Sequence, residues 1–289
     1  MLVKAISVGC AFPRECFDGR VHSLFERACN VLLDSGALIA FLAIGQPDSP
    51  LGARLDLCAL DALALRVDQP VACRQSVVRF VGINTQIDLS TANQYSGDVT
   101  SLRINMGLPS TRAAWHAAWT AVQVSPKQDG LGLLHRSTPA GRMAGRAEPV
   151  IGALLHATRC RSVESAVMAA ARLIGLGPGL TPSGDDFLLG YLAGLWCADE
   201  SGFARGVGEG VVKCGVDTTL ASRVYLEQAA QGRVSSALRD LAAKIVEGAT
   251  PVEVKSAAHA ALRVGGTSGV DGVLGLLMGL SAQGFGLDG

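Results

Sequence analysis

The chain lacks any net charge that would attract a polyanion. Its 25 Lys and Arg residues balance its 25 Asp and Glu residues, so no overall field favours nucleic acid or an anionic membrane. Aromatic residues make up only 5% of the 289 residues, whereas hydrophobic residues make up 49% and glycine occurs 35 times. This composition predicts a large core of small and aliphatic side chains and a ligand that is recognised locally.

Sequence signals for disulfide bonds, zinc binding, membrane insertion and secretion are also scarce. The eight cysteines form no C-x-x-C pair, which predicts reduced, mostly buried thiols in a cytoplasmic protein. The five histidines stand alone, so no zinc site is expected. No unbroken apolar run reaches the length of about 18 residues that a membrane span needs, and residues 1–10 favour a first strand over a secretory signal. We therefore expect a cytoplasmic protein that binds neither nucleic acid nor membrane.

The hydrophobic pattern predicts an α+β protein in two parts. Residues 1–110 are predicted to form a β-rich barrel or sandwich-like domain, and residues 111–289 a mostly α-helical domain. In the first part we predict strands at residues 37–44, 53–57, 63–67 and 77–81 and one helix at about residues 21–33. In the second part we predict helices at about residues 111–123, 150–159, 163–174, 185–198, 217–231, 235–247, 252–264 and 271–282.

Residues 125–148 form a stretch rich in glycine, proline and basic side chains, which we predict to be a long loop. A loop of this length is either a solvated connection or a lid over a substrate. The sequence leaves both interpretations open.

The most informative feature is a pattern that occurs twice, at residues 183–195 and 268–280. The two segments share Ser183/Ser268, Gly184/Gly269, Asp186/Asp271, Leu189/Leu274, Gly190/Gly275, Leu192/Leu277, Gly194/Gly279 and Leu195/Leu280. Each predicts a helix start followed by an apolar helix with glycines four residues apart, on one face. We expect the two pseudo-repeated, glycine-faced helices to cross through these faces and to bring their N-termini together, which would favour an anion.

The turn before the first helix, residues 175–186, is the first candidate site. Three glycines and two prolines predict a rigid turn whose N–H groups can converge on a ligand. No lysine follows the glycines, which argues against a Walker loop. We predict that substrate is bound by Gly177, Gly179, Thr181, Ser183 and Gly184 here, and by Thr267, Ser268 and Gly269 in the second copy.

The acidic residues of the two motifs have two interpretations. Ser183 with Asp186, and Ser268 with Asp271, fit capping boxes, in which the acid only completes the helix start. Asp185 has no such explanation, because Val270 occupies the equivalent position, so it is the stronger catalytic or metal-binding candidate. We predict catalytic roles for Asp185, Asp186 and Asp271, with a hydrogen-bond donor of the substrate or Mg²⁺ offsetting their repulsion of an anion.

Residues 217–223 are the second candidate site. Thr218, Thr219 and Ser222 could bind substrate oxygens and Arg223 could bind a carboxylate or phosphate. The simpler interpretation is that Asp217 or Thr218 caps a helix and Arg223 is solvated. A third polar group, His22, Ser23 and Asn30, is explained by Ser23 capping the helix predicted there.

Three motifs together resemble a bacterial family. They are residues 175–188, Thr218-Thr219-x-x-Ser222, and residues 266–271, and they are similar to the AllH subunit of oxamate carbamoyltransferase, which acts in allantoin degradation. The resemblance implies a cytoplasmic subunit that works with two other subunits to interconvert oxalurate and phosphate with oxamate and carbamoyl phosphate. It implies that Thr181, Thr219 or Thr267 binds anionic oxygens and that Asp185 binds the carbamoyl NH₂ group.

Two alternatives remain open. The chain could be a scaffold whose glycine-faced helices and loops bind the other subunits, with the active site elsewhere in the complex. It could also be a nucleotide-binding protein that holds Mg²⁺ through Asp185 and Asp186, although the carbamoyltransferase interpretation itself requires no cofactor.

Overall fold

The computed structural model describes residues 2–126, 130–131, 142–198 and 202–282. The chain forms two compact units, Met1–Gly97 and Asp98–Gly289. The first consists of strands and the second of helices, which confirms the predicted α+β class. The change from strand to helical periodicity near residue 110 coincides with the start of the first helix at Pro109.

The first unit is an eight-stranded β-barrel. The described residues of this unit contain nine strands, of which the first eight form the barrel: β1 (Leu2–Gly9), β2 (Cys16–Phe25), β3 (Ala28–Leu33), β4 (Leu38–Leu42), β5 (Gly52–Leu55), β6 (Pro70–Arg74), β7 (Val77–Phe80), β8 (Gln86–Asp88) and β9 (Asn93–Tyr95). The order β5-β4-β3-β2-β6-β7-β8-β1 closes through a β5–β1 pair, and β9 pairs with the Ser7–Gly9 end of β1. Closure leaves no free edge on these eight strands.

Aromatic rings and branched aliphatic side chains fill the barrel. Phe12, Phe41 and Phe80 are buried, and their rings meet edge to face at centroid distances of 5.6 Å (Phe12 to Phe41) and 5.8 Å (Phe41 to Phe80). Such contacts add to the free energy gained by burying the rings themselves. The barrel therefore has a hydrophobic core of its own.

Two predictions within the barrel are wrong. Residues 21–33 form parts of the β2–β3 hairpin instead of a helix, because Cys29, Val31 and Leu33 alternate with less buried neighbours along β3. Ser23 therefore caps no helix, although Asn30 Nδ2 does donate to its hydroxyl at 2.9 Å. Residues 63–67 are not a strand, since a 3₁₀ turn at Leu60–Leu63 ends with Ala64 in the left-handed region.

The second unit contains nine helices within its described residues. They are α1 (Pro109–Gln123), α2 (Arg142–Arg159), α3 (Val163–Ala171), α4 (Ser183–Ala198), α5 (Phe203–Cys214), α6 (Leu220–Ala229), α7 (Ser236–Val246), α8 (Pro251–Leu262) and α9 (Ser268–Ser281). Among them, none combines the length and apolarity that a membrane span requires.

Several helix predictions need correction. The loop predicted at residues 125–148 is wrong from residue 142 onward, where α2 already runs. Residues 127–129 and 132–141 of that prediction lie outside the described residues. The helix predicted at residues 217–231 starts later, because a 3₁₀ turn at Gly215–Asp217 precedes α6. Helix α5 was not predicted at all.

Candidate functional site

Helices α4 and α9 pack backbone to backbone through their glycines. A Cβ atom on Gly190 would lie 1.9 Å from the carbonyl oxygen of Gly272, and one on Gly275 would lie 2.0 Å from that of Phe187. A Cβ atom on Gly194 would lie 2.5 Å from the carbonyl oxygen of Leu276, and one on Gly279 would lie 2.4 Å from that of Tyr191. No side chain fits at these four positions, so the predicted crossing through glycine faces is confirmed.

The two helices run in the same direction, so their N-termini meet. Gly190 lies against Gly272 and Leu276, and Gly194, one turn later, lies against Leu276 and Leu280. At the start of the pair, Thr181 Oγ1 lies 3.0 Å from Ser268 Oγ, and Ser183 Oγ lies 3.5 Å from Thr267 Oγ1. These four side chains, Thr181, Ser183, Thr267 and Ser268, are called the hydroxyl cluster below.

Gly184 and Gly269 have a packing role that repeats in both motifs. A Cβ atom on Gly184 would lie 1.9 Å from the carbonyl oxygen of Leu173, and one on Gly269 would lie 2.3 Å from that of Ala261. Each glycine thus lets a motif helix start directly against the chain that precedes it. Their N–H groups donate to Leu176 and Val264 respectively.

The N–H groups of the next two residues in each helix are also used within the protein. Those of Asp185 and Asp186 donate to the carbonyl of Pro182, and those of Val270 and Asp271 donate to the carbonyl of Thr267. The helix dipoles still favour an anion at this end. These bonds leave fewer backbone donors for a ligand than the sequence suggested.

The capping-box interpretation is wrong for the second motif. Thr267, not Ser268, is the N-cap of α9, and it makes no side-chain capping bond. The hydroxyl of Ser268 instead lowers the pKa of Asp186 in the other motif through side-chain hydrogen bonding, as does that of Thr181. The serine and acid therefore join the two helices rather than completing one helix start.

Asp186 lies beneath the hydroxyl cluster and is only 8% exposed. Its pKa is raised from 3.8 to about 8, chiefly because the group is buried. The charges of Asp271 and Asp185 also raise the pKa, whereas hydrogen bonding to Ser268 and Thr181 lowers it. Its Oδ2 atom has no hydrogen-bond partner in the described part of the chain. A raised pKa of this kind favours the uncharged carboxylic acid at neutral pH, and this form can donate a hydrogen bond.

Asp185, the favoured catalytic candidate, is bonded on both oxygens. It is 2% exposed, and it accepts from Gly175 N–H at 2.9 Å and from Thr218 Oγ1 at 2.5 Å. It thereby ties the glycine-rich turn to the chain before α6. Its predicted catalytic role stays a prediction, because a ligand would have to displace one of these donors.

Asp271 is completely buried and supports a segment that the sequence did not connect with the motifs. Its Oδ1 accepts from Leu131 N–H at 2.6 Å. Gly130, with φ of +83°, lies so close that a Cβ atom there would be 2.6 Å from Oδ2. No spacing signal in the sequence indicates this contact, since it joins residues on either side of several helices.

The glycine-rich turn and the Thr218-Thr219 motif form one connected structure. Gly175, Gly177 and Gly179 all have positive φ, and the carbonyl of Leu180 accepts from Thr219 Oγ1 at 2.5 Å. Thr219 is also the N-cap of α6, since its side chain accepts from Ser222 N–H. The helix cap is therefore neither Asp217 nor Thr218, the two residues named by the simpler interpretation.

The last two candidates lie in the first turn of α6. Ser222 is 2% exposed, and its Oγ has no hydrogen-bond partner among the described residues. Arg223, at the next position, is partly buried, so it is not the fully solvated side chain of the simpler interpretation.

The described residues contain no group of three or more His, Cys, Asp or Glu side chains placed to hold a metal ion. The Mg²⁺ site considered for Asp185 and Asp186 stays a prediction.

Two family models match the chain. The AllH family N-terminal domain matches residues 4–94, and the oxamate carbamoyltransferase subunit AllH matches residues 173–280. The first match covers the barrel strands β2–β8, and the second contains the glycine-rich turn, both motif helices and the hydroxyl cluster. Neither the curated proteins nor the solved structures contain a significant match. The two matches together cover most of the chain, which therefore belongs to the AllH family of oxamate carbamoyltransferase subunits.

Proposed function

We propose that this chain is a working subunit of a carbamoyltransferase that interconverts oxalurate and phosphate with oxamate and carbamoyl phosphate. It assembles with other subunits, two in the simplest scheme, and acts in purine nitrogen catabolism in the cytoplasm. All eight cysteines are free thiols, which fits a reducing compartment.

The observation that carries the proposal is the meeting of two helix N-termini beneath four hydroxyl groups. Phosphate and the carboxylate of oxamate are both oxyanions that accept hydrogen bonds. The hydroxyl cluster offers donors to such a ligand, and the positive ends of α4 and α9 favour its charge. Asp186, neutral at pH 7, adds no negative charge to oppose it.

The reaction needs charge stabilisation more than it needs a nucleophilic side chain. A phosphate oxygen attacks the carbamoyl carbon of oxalurate, the bond from that carbon to the amide nitrogen breaks, and the proton of the phosphate ends on the nitrogen of oxamate. Donors already held in place near the anionic oxygens would lower the barrier without a covalent enzyme intermediate.

The remaining predicted residues support this site in our proposal. Asp185 with Thr218, and Leu180 with Thr219, keep the glycine-rich turn in position through the hydrogen bonds described above. Gly177 and Gly179 allow its backbone to follow a path with positive φ. The carbamoyl NH₂ group donates hydrogen bonds, and a carboxyl oxygen of Asp185 beside the glycine-rich turn is its natural acceptor.

The test uses the complex assembled from this chain and the proteins encoded beside it in the genome. Phosphate-dependent loss of oxalurate and formation of oxamate are measured for Ser183→Ala and Thr267→Val. Removing a hydrogen bond to a charged ligand costs about 1.5–3 kcal/mol, so kcat/KM should fall by roughly 10-fold to 100-fold.

Thr120→Val is the matched control, because Thr120 is exposed on α1 and its hydroxyl bonds, within the described part of the chain, only to the carbonyl of His116. It should keep normal activity. If Ser183→Ala and Thr267→Val are as active as this control in a complex of unchanged composition, the chain acts as a scaffold and the proposed site is wrong.

A further inference from the structure

Asp186, Thr181 and Ser268 form a triangle of hydrogen-bonding groups at the start of the helix pair. Thr181 and Ser268 lie 3.0 Å apart, and both lower the pKa of the Asp186 carboxyl group through side-chain hydrogen bonding. The two hydroxyls are partly exposed, whereas Asp186 is buried beneath them. A ligand at the surface would thus contact the hydroxyls, and Asp186 would act on the ligand through them.

The number of protons in this triangle decides which way the hydroxyls can point. When Asp186 is ionised, the three contacts among these groups share only the two hydroxyl protons. Both protons are then held inside the triangle, and the hydroxyl oxygens present lone pairs to the ligand. A protonated Asp186 brings a third proton. One hydroxyl can then turn its hydrogen toward the ligand while the other two protons maintain the triangle.

We propose that Asp186 is a positioning residue whose proton turns the hydroxyls of Thr181 and Ser268 into donors, so that this site binds an oxyanion only while Asp186 is neutral. The inference rests on the proposed function for the location of the ligand. It adds the ligand class, a tetrahedral or carboxylate oxyanion, and makes binding dependent on the protonation of one residue.

The surroundings of Asp186 favour the neutral form. In the described part of the chain, the charges that act on it are those of Asp271 on α9 and Asp185 on α4, and both are negative. Its Oδ2 atom has no partner there that would stabilise a full charge. Other helices packed against α4 also carry charged side chains, but these do not shift the pKa of Asp186: Arg205, Glu209 and Lys213 on α5, Arg223 and Glu227 on α6, and Arg239, Asp240 and Lys244 on α7.

The experiment measures binding of sulfate and of oxamate to the full-length chain by titration calorimetry between pH 6.5 and 9.5. Both anions keep a constant charge over this range, so any change of affinity comes from the protein. We expect the Kd of the wild-type chain to be flat at low pH and to rise by up to about 10-fold per pH unit above about pH 8. Whichever anion binds more tightly identifies the phosphate end or the carboxylate end of the substrates as the occupant.

Asp186→Asn is the central variant, because asparagine is similar in shape, stays neutral and can still donate. Its Kd should remain within about 3-fold of the wild-type value at pH 6.5 and should not rise at pH 9.5. Asp217→Asn is the matched control, since Asp217 is an exposed acid in the turn before α6. It removes one negative charge and should keep the wild-type pH profile.

Ser268→Ala keeps the inference testable if Asp186→Asn fails to fold, because it removes one corner of the triangle. It should weaken binding about 10-fold at pH 6.5. A wild-type affinity that is flat across the range, or no binding of either anion at pH 6.5, would overturn the inference. An inactive complex with the expected binding profile would overturn the proposed function alone, and an active complex with a flat profile would overturn the inference alone.

Discussion

At the scale of single residues, the buried acid Asp186 links stability to pH. Its pKa is about 8 in the folded chain against 3.8 for an ordinary aspartate. Between these values the folded chain holds a proton that the unfolded chain has released, so the free energy of unfolding falls as pH rises. Above about pH 8 the folded chain also releases this proton, so the free energy of unfolding stops falling.

We therefore expect Asp186→Asn to stabilise the chain increasingly with pH. The difference in unfolding free energy between the variant and the wild type should widen by up to about 1.4 kcal/mol per unit between pH 5 and 7.5 and then level off. Urea denaturation at several pH values measures this difference directly. Parallel stability curves for the two proteins would mean that Asp186 is ionised at neutral pH.

Replacing Asp185 by asparagine is expected to have the opposite effect, a loss of stability. It accepts hydrogen bonds on both oxygens while buried, so in Asp185→Asn the amide NH₂ would face a donor, either Gly175 N–H or the hydroxyl of Thr218. We expect a loss of about 1–3 kcal/mol in the free energy of unfolding. Asp217→Asn, at an exposed acid, should change it by less than about 0.5 kcal/mol.

Thermal and urea denaturation distinguish the roles of Asp185. A variant that is inactive in the complex yet as stable as the wild type would show that Asp185 acts on substrate and that its internal hydrogen bonds contribute little to the fold.

At the scale of elements, glycine is required at particular positions of the α4–α9 pair and not at others. Gly190→Ala would place a methyl group 1.9 Å from a carbonyl oxygen of α9, whereas Gly272→Ala would place one 3.6 Å from its nearest neighbour. We expect Gly190→Ala to lower the unfolding free energy by about 3 kcal/mol or more. Gly272→Ala should change it by no more than about 1 kcal/mol, because alanine favours a helix and fits the space.

Urea denaturation of the two single variants provides the comparison, with each serving as control for the other. Equal effects would mean that helix propensity, not the close approach of the two backbones, governs these positions.

The same glycines explain which helices could be predicted from the sequence. Residues 183–195 and 268–280 repeat one pattern, so each supports the interpretation of the other, and the crossing follows from glycines on one face. Helix α5 has no such repeat. Its glycines, Gly206, Gly208 and Gly210, weaken helix propensity, yet they lie against Val163, Ala230 and Val167. Only the packed neighbours show why a helix forms there.

The polar contacts of the site follow a similar rule. That hydroxyls and acids gather at the helix starts could be predicted, because the repeat places them in equivalent positions. The hydrogen-bond partners of these side chains could not be predicted. The bond from Leu131 to Asp271 and the bond from Thr218 to Asp185 join residues far apart in the chain, and no local spacing encodes such a pair.

The helix predicted at residues 21–33 is wrong for a related reason. Short apolar runs fit both periods, and the choice depends on neighbouring strands. Here β2 pairs with β3 and β6, and β3 pairs with β4, so the barrel outweighs the local helical pattern.

At the scale of the whole molecule, the chain has two separate hydrophobic cores. Among the described residues, the core of the barrel is made of residues from Met1–Gly97, and the core around α4 and α9 of residues from Asp98–Gly289. Each unit can then unfold without removing the core of the other. This separation predicts that damage to the helix pair stays within the helical unit.

Hydrogen exchange of full-length Gly190→Ala, followed by mass spectrometry of its peptides, tests this prediction. Peptides from α4 and α9 should lose protection, since the clash lies between them, while peptides from β2, β3 and β6 keep the exchange rates of the wild type. Gly272→Ala should exchange like the wild type throughout. Loss of protection in the barrel of Gly190→Ala would show that the two cores fold as one cooperative unit, because a local clash in one would then destabilise both.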